Sequence, residues 1–246
     1  MIIGLTANIG AGKDTVAKMI QFYFFQKNKP NSSEITLMQF LEGQDLYDND
    51  YSFGELTEYK ISEDSGWKIK KFAFKLKETI SSFTGCTLEQ LEDSVFKEEF
   101  CYNVTTGEIK HISFLENECV IKNVMQEYPI NSWITFRVVL QDIGMKLRSS
   151  MPEIHINGLF SKYNENENWI ISDLRLLNEA SSIKNRNGAI IRIERYDGKF
   201  HSHRSETELS SICQEYTIVN AGTLEDLYLN VVVALNALKE KNLITF

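Results

Sequence analysis

The residues with the clearest chemical potential are two glycines and a lysine near the start of the chain. Gly10 and Gly12 precede Lys13, and small residues in such a turn let backbone N–H groups surround a phosphate chain. The helix expected after the turn adds the positive end of its dipole, and the lysine would reach the β- and γ-phosphates of a nucleotide. The pattern predicts a nucleotide-phosphate site, with a glycine-rich turn that binds no ligand as the alternative. The predicted contact residues are Asn8, Gly10, Ala11, Gly12, Lys13, Asp14 and Thr15.

Two positions of this turn depart from the usual phosphate-binding pattern. Ala7 stands where the first glycine is expected, and Asp14 stands where a serine or threonine normally follows the lysine. Thr15 comes one position later. Asp14 could hold Mg²⁺ directly or through water, or leave that role to Thr15, so the sequence leaves the metal ligand open between these two residues.

A second group of polar residues follows the apolar run at 168–172. Asp173, Arg175 and Glu179 form an Asp-x-Arg-x-x-x-Glu pattern at a predicted strand-to-helix junction. In a parallel sheet such a strand delivers its terminal carboxylate to the edge where ligands bind. Asp173 is therefore a candidate for holding Mg²⁺ or its water, or for positioning a second substrate. The alternative is a helix-capping aspartate followed by an intrahelical Arg175–Glu179 pair.

Strands and helices alternate along the chain in a way that would bring these residues to one sheet edge. Strands are predicted at 2–5, 67–73, 168–173, 188–194 and 216–220, and helices at 13–26, 75–85, 136–148, 154–163 and 224–241. A further helix is predicted to begin after Thr87, with Gln90 completing a capping box, and a hairpin to turn at Thr106-Gly107. This order predicts an α/β protein: a P-loop NTPase three-layer fold with a central parallel sheet.

Two stretches are predicted to be insertions into one kinase domain spanning 1–246. Residues 28–66 are polar and acidic, which favours an insertion with little regular structure. Residues 85–125 contain the predicted hairpin and are interpreted as a hairpin or lid-like insertion.

The amino-acid composition argues against several kinds of binding partner. The net charge of −8 argues against a broad nucleic-acid-binding face. The four cysteines include no CxxC pair, which favours a reduced, intracellular protein over a disulfide framework or a zinc site. No apolar run approaches the ~18 residues of a membrane span, and no signal peptide precedes the first strand. We therefore expect a cytoplasmic protein that binds neither nucleic acid nor membrane.

Six short blocks of the sequence resemble the phage-type deoxynucleoside monophosphate kinases, within the nucleoside monophosphate kinase superfamily. They follow that family's order and cover most of the chain outside 28–66. The blocks are Gly12-Lys13-Asp14-Thr15; Phe72-Ala73 with Leu76-Lys77-Glu78; Arg137 with Gln141 and Gly144; Asp173-x-Arg175-x-x-x-Glu179; His203-x-Ser205-Glu206; and Asn220-x-Gly222-Thr223-Leu224-Glu225-Asp226-Leu227.

The resemblance implies a kinase that uses ATP and Mg²⁺ to convert a deoxynucleoside 5′-monophosphate to the diphosphate. Besides ATP binding by the glycine-rich turn, it implies catalytic roles for Lys13, Arg137, Asp173 and Arg175. The residues that it implies bind the monophosphate are Lys77, Lys97, Arg137, Gln141, Asp173, Arg175 and Glu179. The family position that corresponds to Ile9 is often basic, so one phosphate contact is missing from this pattern. If the chain is phage-encoded, the compartment implied is the host cytoplasm.

Other interpretations stay open. The opening Ile3-Gly4-Leu5-Thr6, continued by the loop and Val16-Ala17, also resembles dephospho-coenzyme A kinase. A nucleotide-binding regulatory module without transfer activity is the alternative of another class. The apolar helix at 224–238 would bury a face either in the core or in a homodimer. No short pattern predicts which base is accepted.

Overall fold

The structure is a computed structural model that describes residues 1–29, 35–42, 58–116, 118–195 and 209–245. The chain divides into two compact units, one of Met1–Phe72 with Lys162–Phe246 and one of Ala73–Ser161. Each unit contains its own sheet. None of the helices in the described ranges is long and apolar enough to cross a membrane.

The predicted helices and strands occur in the expected order, and the described ranges also contain short elements that were not predicted. The strands are β1 (Ile2–Ala7), β2 (Trp67–Lys70), β3 (Phe100–Asn103), β4 (Ile109–His111), β5 (Val120–Ile121), β6 (Trp133–Thr135), β7 (Asn168–Leu174), β8 (Ala189–Glu194) and β9 (Tyr216–Val219). The α-helices are α1 (Lys13–Asn28), α2 (Leu37–Glu42), α3 (Glu58–Ser65), α4 (Phe74–Thr84), α5 (Leu88–Glu92), α6 (Ser94–Glu99), α7 (Phe136–Ser150), α8 (Ile154–Phe160), α9 (Leu177–Lys184) and α10 (Leu224–Glu240).

The first unit is built on a five-stranded parallel sheet with the order β2-β7-β1-β8-β9. Every residue of β1 is buried, as expected for a central parallel strand covered on both faces. Ile3 and Leu5 pack with α1 and α10, whereas Gly4 points to the opposite face. A Cβ on Gly4 would lie 2.7 Å from Ile183 of α9, so glycine allows this helix to approach the sheet. The unit is an α/β fold with helices flanking a parallel sheet.

The order of these strands creates a candidate ligand edge. The chain leaves β1 toward β2 on one side and leaves β8 toward β9 on the other. Ligands of open α/β sheets bind outside the carboxyl ends of the strands where the direction of winding reverses in this way. The loop after β1 lies at that position.

The second unit has a four-stranded mixed sheet with the order β4-β3-β6-β5. The predicted hairpin is confirmed: β3 and β4 are antiparallel, and Gly107 in the turn has φ +75°. This hairpin forms half of the sheet, because β3 also pairs with β6 and β6 with β5. Apolar side chains of α4, α5, α6 and α7 form the core of the unit; they include Leu76, Ile80, Leu91, Phe96 and Phe136.

One prediction of local structure was wrong. Residues 28–66 contain two helices, α2 and α3, where little regular structure was expected. Phe40 of α2 is buried against Phe22 and Phe25 of α1, so this helix contributes to the apolar core rather than forming a solvated surface. The remaining parts of the predicted insertion, 30–34 and 43–57, lie outside the described residues, as does the block His203-x-Ser205-Glu206.

Candidate functional site

The turn between β1 and α1 has the backbone of an anion-binding loop. Gly10 and Gly12 have φ values of +80° and +96°, a conformation that costs glycine little and other residues more. Gly12 is the N-cap of α1, and no side chain caps this helix end. The N–H groups of its first turn lack intrahelical partners, so this helix end suits an anion.

Lys13 is folded back over the loop that precedes it. Its Nζ donates to the carbonyl oxygens of Ala7, at 3.2 Å, and Asn8, at 3.4 Å. Burial, together with the nearby positive charge of Arg175, lowers the pKa of Lys13 to about 8. The carboxylates of Asp14 and Asp173 oppose this shift. The structure thus brings Lys13, Asp14, Asp173 and Arg175 into one electrostatic neighbourhood.

Asp14 is held toward the end of the adjacent strand β7. Its Oδ1 accepts a hydrogen bond from Ser172 Oγ at 3.1 Å and lies 3.6 Å from Lys71 Nζ, while its side chain is 73% exposed. The Thr15 hydroxyl makes no hydrogen bond to any residue of the described ranges. Ser172 and Lys71 were not predicted to contribute, although they directly precede Asp173 and Phe72, which lie in the blocks that carry the resemblance.

Asp173 and Glu179 each bind backbone N–H groups. Asp173 Oδ1 accepts from the N–H of Phe72 at 2.8 Å, which ties the chain after β2 to the end of β7. Glu179 is buried, and its Oε2 accepts from the N–H groups of Arg175, at 2.9 Å, and Leu176, at 3.1 Å, at the start of α9. The carboxylate that caps the start of α9 is therefore that of Glu179, within the helix, rather than that of Asp173.

Two residues that follow the last strands of the sheet also contact the loop. Asn220 Nδ2 donates to the carbonyl of Ala11 at 3.0 Å, and Arg195 Nη1 donates to the carbonyl of Gly10 at 3.5 Å. A Cβ on Gly12 would lie 2.9 Å from Asn220 Nδ2. Arg195 was not predicted, but its position directly after β8 was the available signal, because β8 pairs with β1 in parallel.

Four of the residues predicted to bind the acceptor lie in the second unit. Lys77 is buried, and its Nζ lies 2.6 Å from Glu92 Oε1. Lys97 Nζ donates to the carbonyl oxygen of Glu92 at 2.8 Å. Arg137 Nε donates to Glu98 Oε1 at 2.5 Å. The structure therefore places three predicted cations around α5 and α6.

Gln141, the fourth of these residues, lies one turn after Arg137 on α7, and it is exposed. An exposed amide at this spacing is able to donate to a phosphate on the same helix face as Arg137.

The oxygen atoms near the start of α1 fit a hard cation. Mg²⁺ prefers oxygen ligands and usually keeps water and substrate phosphates in its coordination shell rather than using an all-protein cage. The Asp14 carboxylate and the Thr15 hydroxyl are oxygen ligands of this kind. Across the described ranges, no group of three or more His, Cys, Asp or Glu side chains is arranged to hold a metal ion.

No protein-family model and no curated protein sequence matches this chain. Its residues, with their distances and charges, carry the functional argument.

Proposed function

We propose that this chain is a P-loop kinase that transfers the γ-phosphoryl group of ATP to the 5′-phosphate of a deoxynucleoside monophosphate. The observation that carries the proposal is the turn from Asn8 to Gly12. It joins a central parallel strand to an α1 end that no side chain caps, it contains two glycines with positive φ, and it is followed by Lys13. The same turn supports assigning the parallel sheet to the P-loop NTPase class, in a nucleoside monophosphate kinase-like form.

The loop and Lys13 would bind the phosphates of ATP. Backbone N–H groups of the turn and of the first turn of α1 would donate to phosphate oxygens. The amine of Lys13 now lies on the carbonyls of Ala7 and Asn8, and it would turn toward the β- and γ-phosphates. Nearby phosphate charge favours the protonated amine, which would offset the effect of burial on its pKa.

Asp14 and Thr15 are the residues that would hold Mg²⁺. When bound, the ion supplies neutralisation of the charge on the phosphate oxygens. Ser172 and Lys71, which contact Asp14, would fix the orientation of its carboxylate.

The cations of the second unit would bind the acceptor. Lys77, Lys97 and Arg137, with Gln141, would neutralise and orient the 5′-phosphate. One of its oxygens attacks the γ-phosphorus, and the bond to the oxygen of ADP breaks. A phosphate monoester is ionised at neutral pH, so the acceptor needs no general base, and catalysis consists of alignment and charge neutralisation. Asp173 and Arg175, beside Lys13, are the further residues proposed to take part.

A coupled ADP-release assay with Mg-ATP tests this function. The acceptors are the four common deoxynucleoside monophosphates, the ribonucleoside monophosphates and dephospho-coenzyme A, with Lys13→Ala as the control variant. Turnover with a deoxynucleotide that the variant loses supports the proposal and identifies the base. Turnover with dephospho-coenzyme A alone would contradict the proposal and identify the chain as a dephospho-coenzyme A kinase. ATP binding without turnover of any acceptor would favour a regulatory nucleotide-binding module.

A further inference from the structure

Glu98 holds Arg137 in a way that leaves the end of its guanidinium available. The carboxylate oxygen Oε1 of Glu98 accepts from Nε of Arg137 at 2.5 Å, and the two side chains are 55% and 38% exposed. The terminal nitrogens Nη1 and Nη2 of Arg137 make no hydrogen bond to any residue in the described part of the chain. Glu98 lies on α6 and Arg137 on α7, so two separate helices fix the pair.

A guanidinium is planar and carries five N–H donors in a fixed arrangement. A carboxylate bound at Nε restrains rotation of that plane, while the terminal nitrogens keep the fork geometry that binds phosphate with two parallel hydrogen bonds. Restraining a long side chain before binding reduces the conformational entropy that is lost when the ligand binds.

We propose that Glu98 is a positioning residue for the acceptor. It holds Arg137 through Nε so that Nη1 and Nη2 meet the phosphate of the deoxynucleoside monophosphate. This inference rests on the proposed function, in which Arg137 binds that phosphate.

Glu98 has two opposing effects on such a phosphate. Its carboxylate repels the phosphate dianion, and it also orients the cation that binds it. Orientation dominates because the carboxylate and the phosphate use different donors of Arg137 and do not compete for one position. The side chains of Glu98 and Arg137 are both exposed to water. Water weakens the repulsion between the carboxylate and the phosphate more than it weakens a direct bidentate contact of Arg137 with the phosphate.

Glu98→Ala tests this role, because an exposed ion pair contributes little to folding and the variant should keep its structure. We expect the KM for the acceptor to rise about tenfold while the KM for ATP stays unchanged. Glu98→Gln keeps an oxygen that accepts from Nε, so it should restore much of the loss. Glu108→Ala is the matched control, because Glu108 is a similarly exposed carboxylate of the same unit whose partner is Lys110.

The effect of Glu98→Ala is then measured in a protein that also carries Arg137→Ala. Since Glu98 acts through Arg137, adding Glu98→Ala to that variant should leave the acceptor KM where Arg137→Ala alone places it. An independent, additive effect would overturn the proposal, as would an unchanged acceptor KM in Glu98→Ala. A lowered acceptor KM would show that the carboxylate competes with the phosphate, which also overturns it.

Inorganic phosphate provides a readout that does not require turnover. Titrations of wild type and of the same variants, followed by the ³¹P line width, should show phosphate binding that Arg137→Ala and Glu98→Ala weaken and Glu98→Gln largely retains. If no acceptor is phosphorylated but this pattern appears, the proposed function fails and the positioning role stands. Phosphate binding that is equal in wild type and Glu98→Ala overturns the positioning role.

Discussion

Lys13 of the first unit is half-buried and Lys77 of the second unit is buried, but different groups face their amines. Lys13 donates to two backbone carbonyls, whereas Lys77 lies 2.6 Å from the carboxylate of Glu92. Burial lowers the pKa of Lys13 to about 8, because the carbonyl oxygens and the nearby carboxylates of Asp14 and Asp173 do not fully offset the loss of water around the charge. The loop therefore contains a charge that a bound phosphate would stabilise, while carboxylates of the second unit already face Lys77 and Arg137.

The largest expected effect comes from removing the charge of the loop. Lys13→Ala should lower turnover by about a thousandfold or more, because it removes the cation closest to the phosphates that change in the reaction. The ADP-release assay measures this loss. Lys18→Ala is the matched control, since Lys18 also lies on α1 and donates to a backbone carbonyl, that of Leu41. Comparable losses in both variants would contradict the special role of Lys13.

The second effect concerns pH and stability. The pKa of Lys13 is about 8 in the folded state, against 10.5 for an unperturbed lysine. Between these values the unfolded chain binds more protons at this position, so the free energy of unfolding should rise with pH. Below pH 8 the folded state bears the full cost of burying the charge.

Compared with Lys13→Met, wild type should gain about 2 kcal/mol between pH 8 and pH 10. Urea unfolding of both proteins at a series of pH values measures the difference, in which the titration of other groups cancels. If the free energy of unfolding changed with pH in the same way in both proteins, the lowered pKa of Lys13 would be contradicted.

The third effect compares two carboxylates of the second unit. Glu92→Ala leaves the amine of Lys77, whose side chain is only 11% exposed, without its carboxylate, and should cost about 2 kcal/mol of unfolding free energy. Glu98→Ala removes the partner of a more exposed Arg137 and should cost less than about 1 kcal/mol. Urea midpoints with unchanged slopes test this order. Equal losses would show that burial does not distinguish the two pairs.

The smallest expected difference between two variants tests how backbone geometry maintains the loop. Gly12→Ala places a Cβ 2.9 Å from Asn220 Nδ2 at φ +96°, whereas the same change at Gly10, at φ +80°, meets no atom within 4 Å. We expect a loss of about 2 kcal/mol for Gly12→Ala and about 1 kcal/mol for Gly10→Ala. Thermal unfolding compares the two variants. A larger loss at Gly10 would show that contact with Asn220 contributes nothing.

The first strand, its loop and α1 were predictable because their signals are local. An apolar run, two glycines and a lysine are adjacent in sequence, and the predicted strand, turn and helix occur in that order. The helix α2 was missed although a signal existed. Gln39 N donates to Thr36 Oγ1 at 3.3 Å and Thr36 N to Gln39 Oε1 at 2.9 Å, a capping box that the Thr-x-x-Gln pattern indicates.

Other features were not predictable because they depend on distant parts of the chain. β5 and β6 have two and three residues, too few for hydrophobic periodicity to show, and Cys101 pairs with Thr135 across a long separation in sequence. Glu98 meets Arg137 only because α6 packs against α7. The second sheet and the carboxylate partners of the cations therefore emerge from packing.

The position of β1 between β7 and β8 delays the pairing of this strand during synthesis. Ile3 pairs with Ile170 and Ala189, so both neighbours of the first strand are translated long after it. The second unit, Ala73–Ser161, is continuous in sequence and is translated between β1 and these two strands. The apolar strand β1 must wait without these partners, a state in which chaperones bind nascent chains and aggregation competes with folding. The glycine loop is therefore translated before the strands that flank β1 are available to support it.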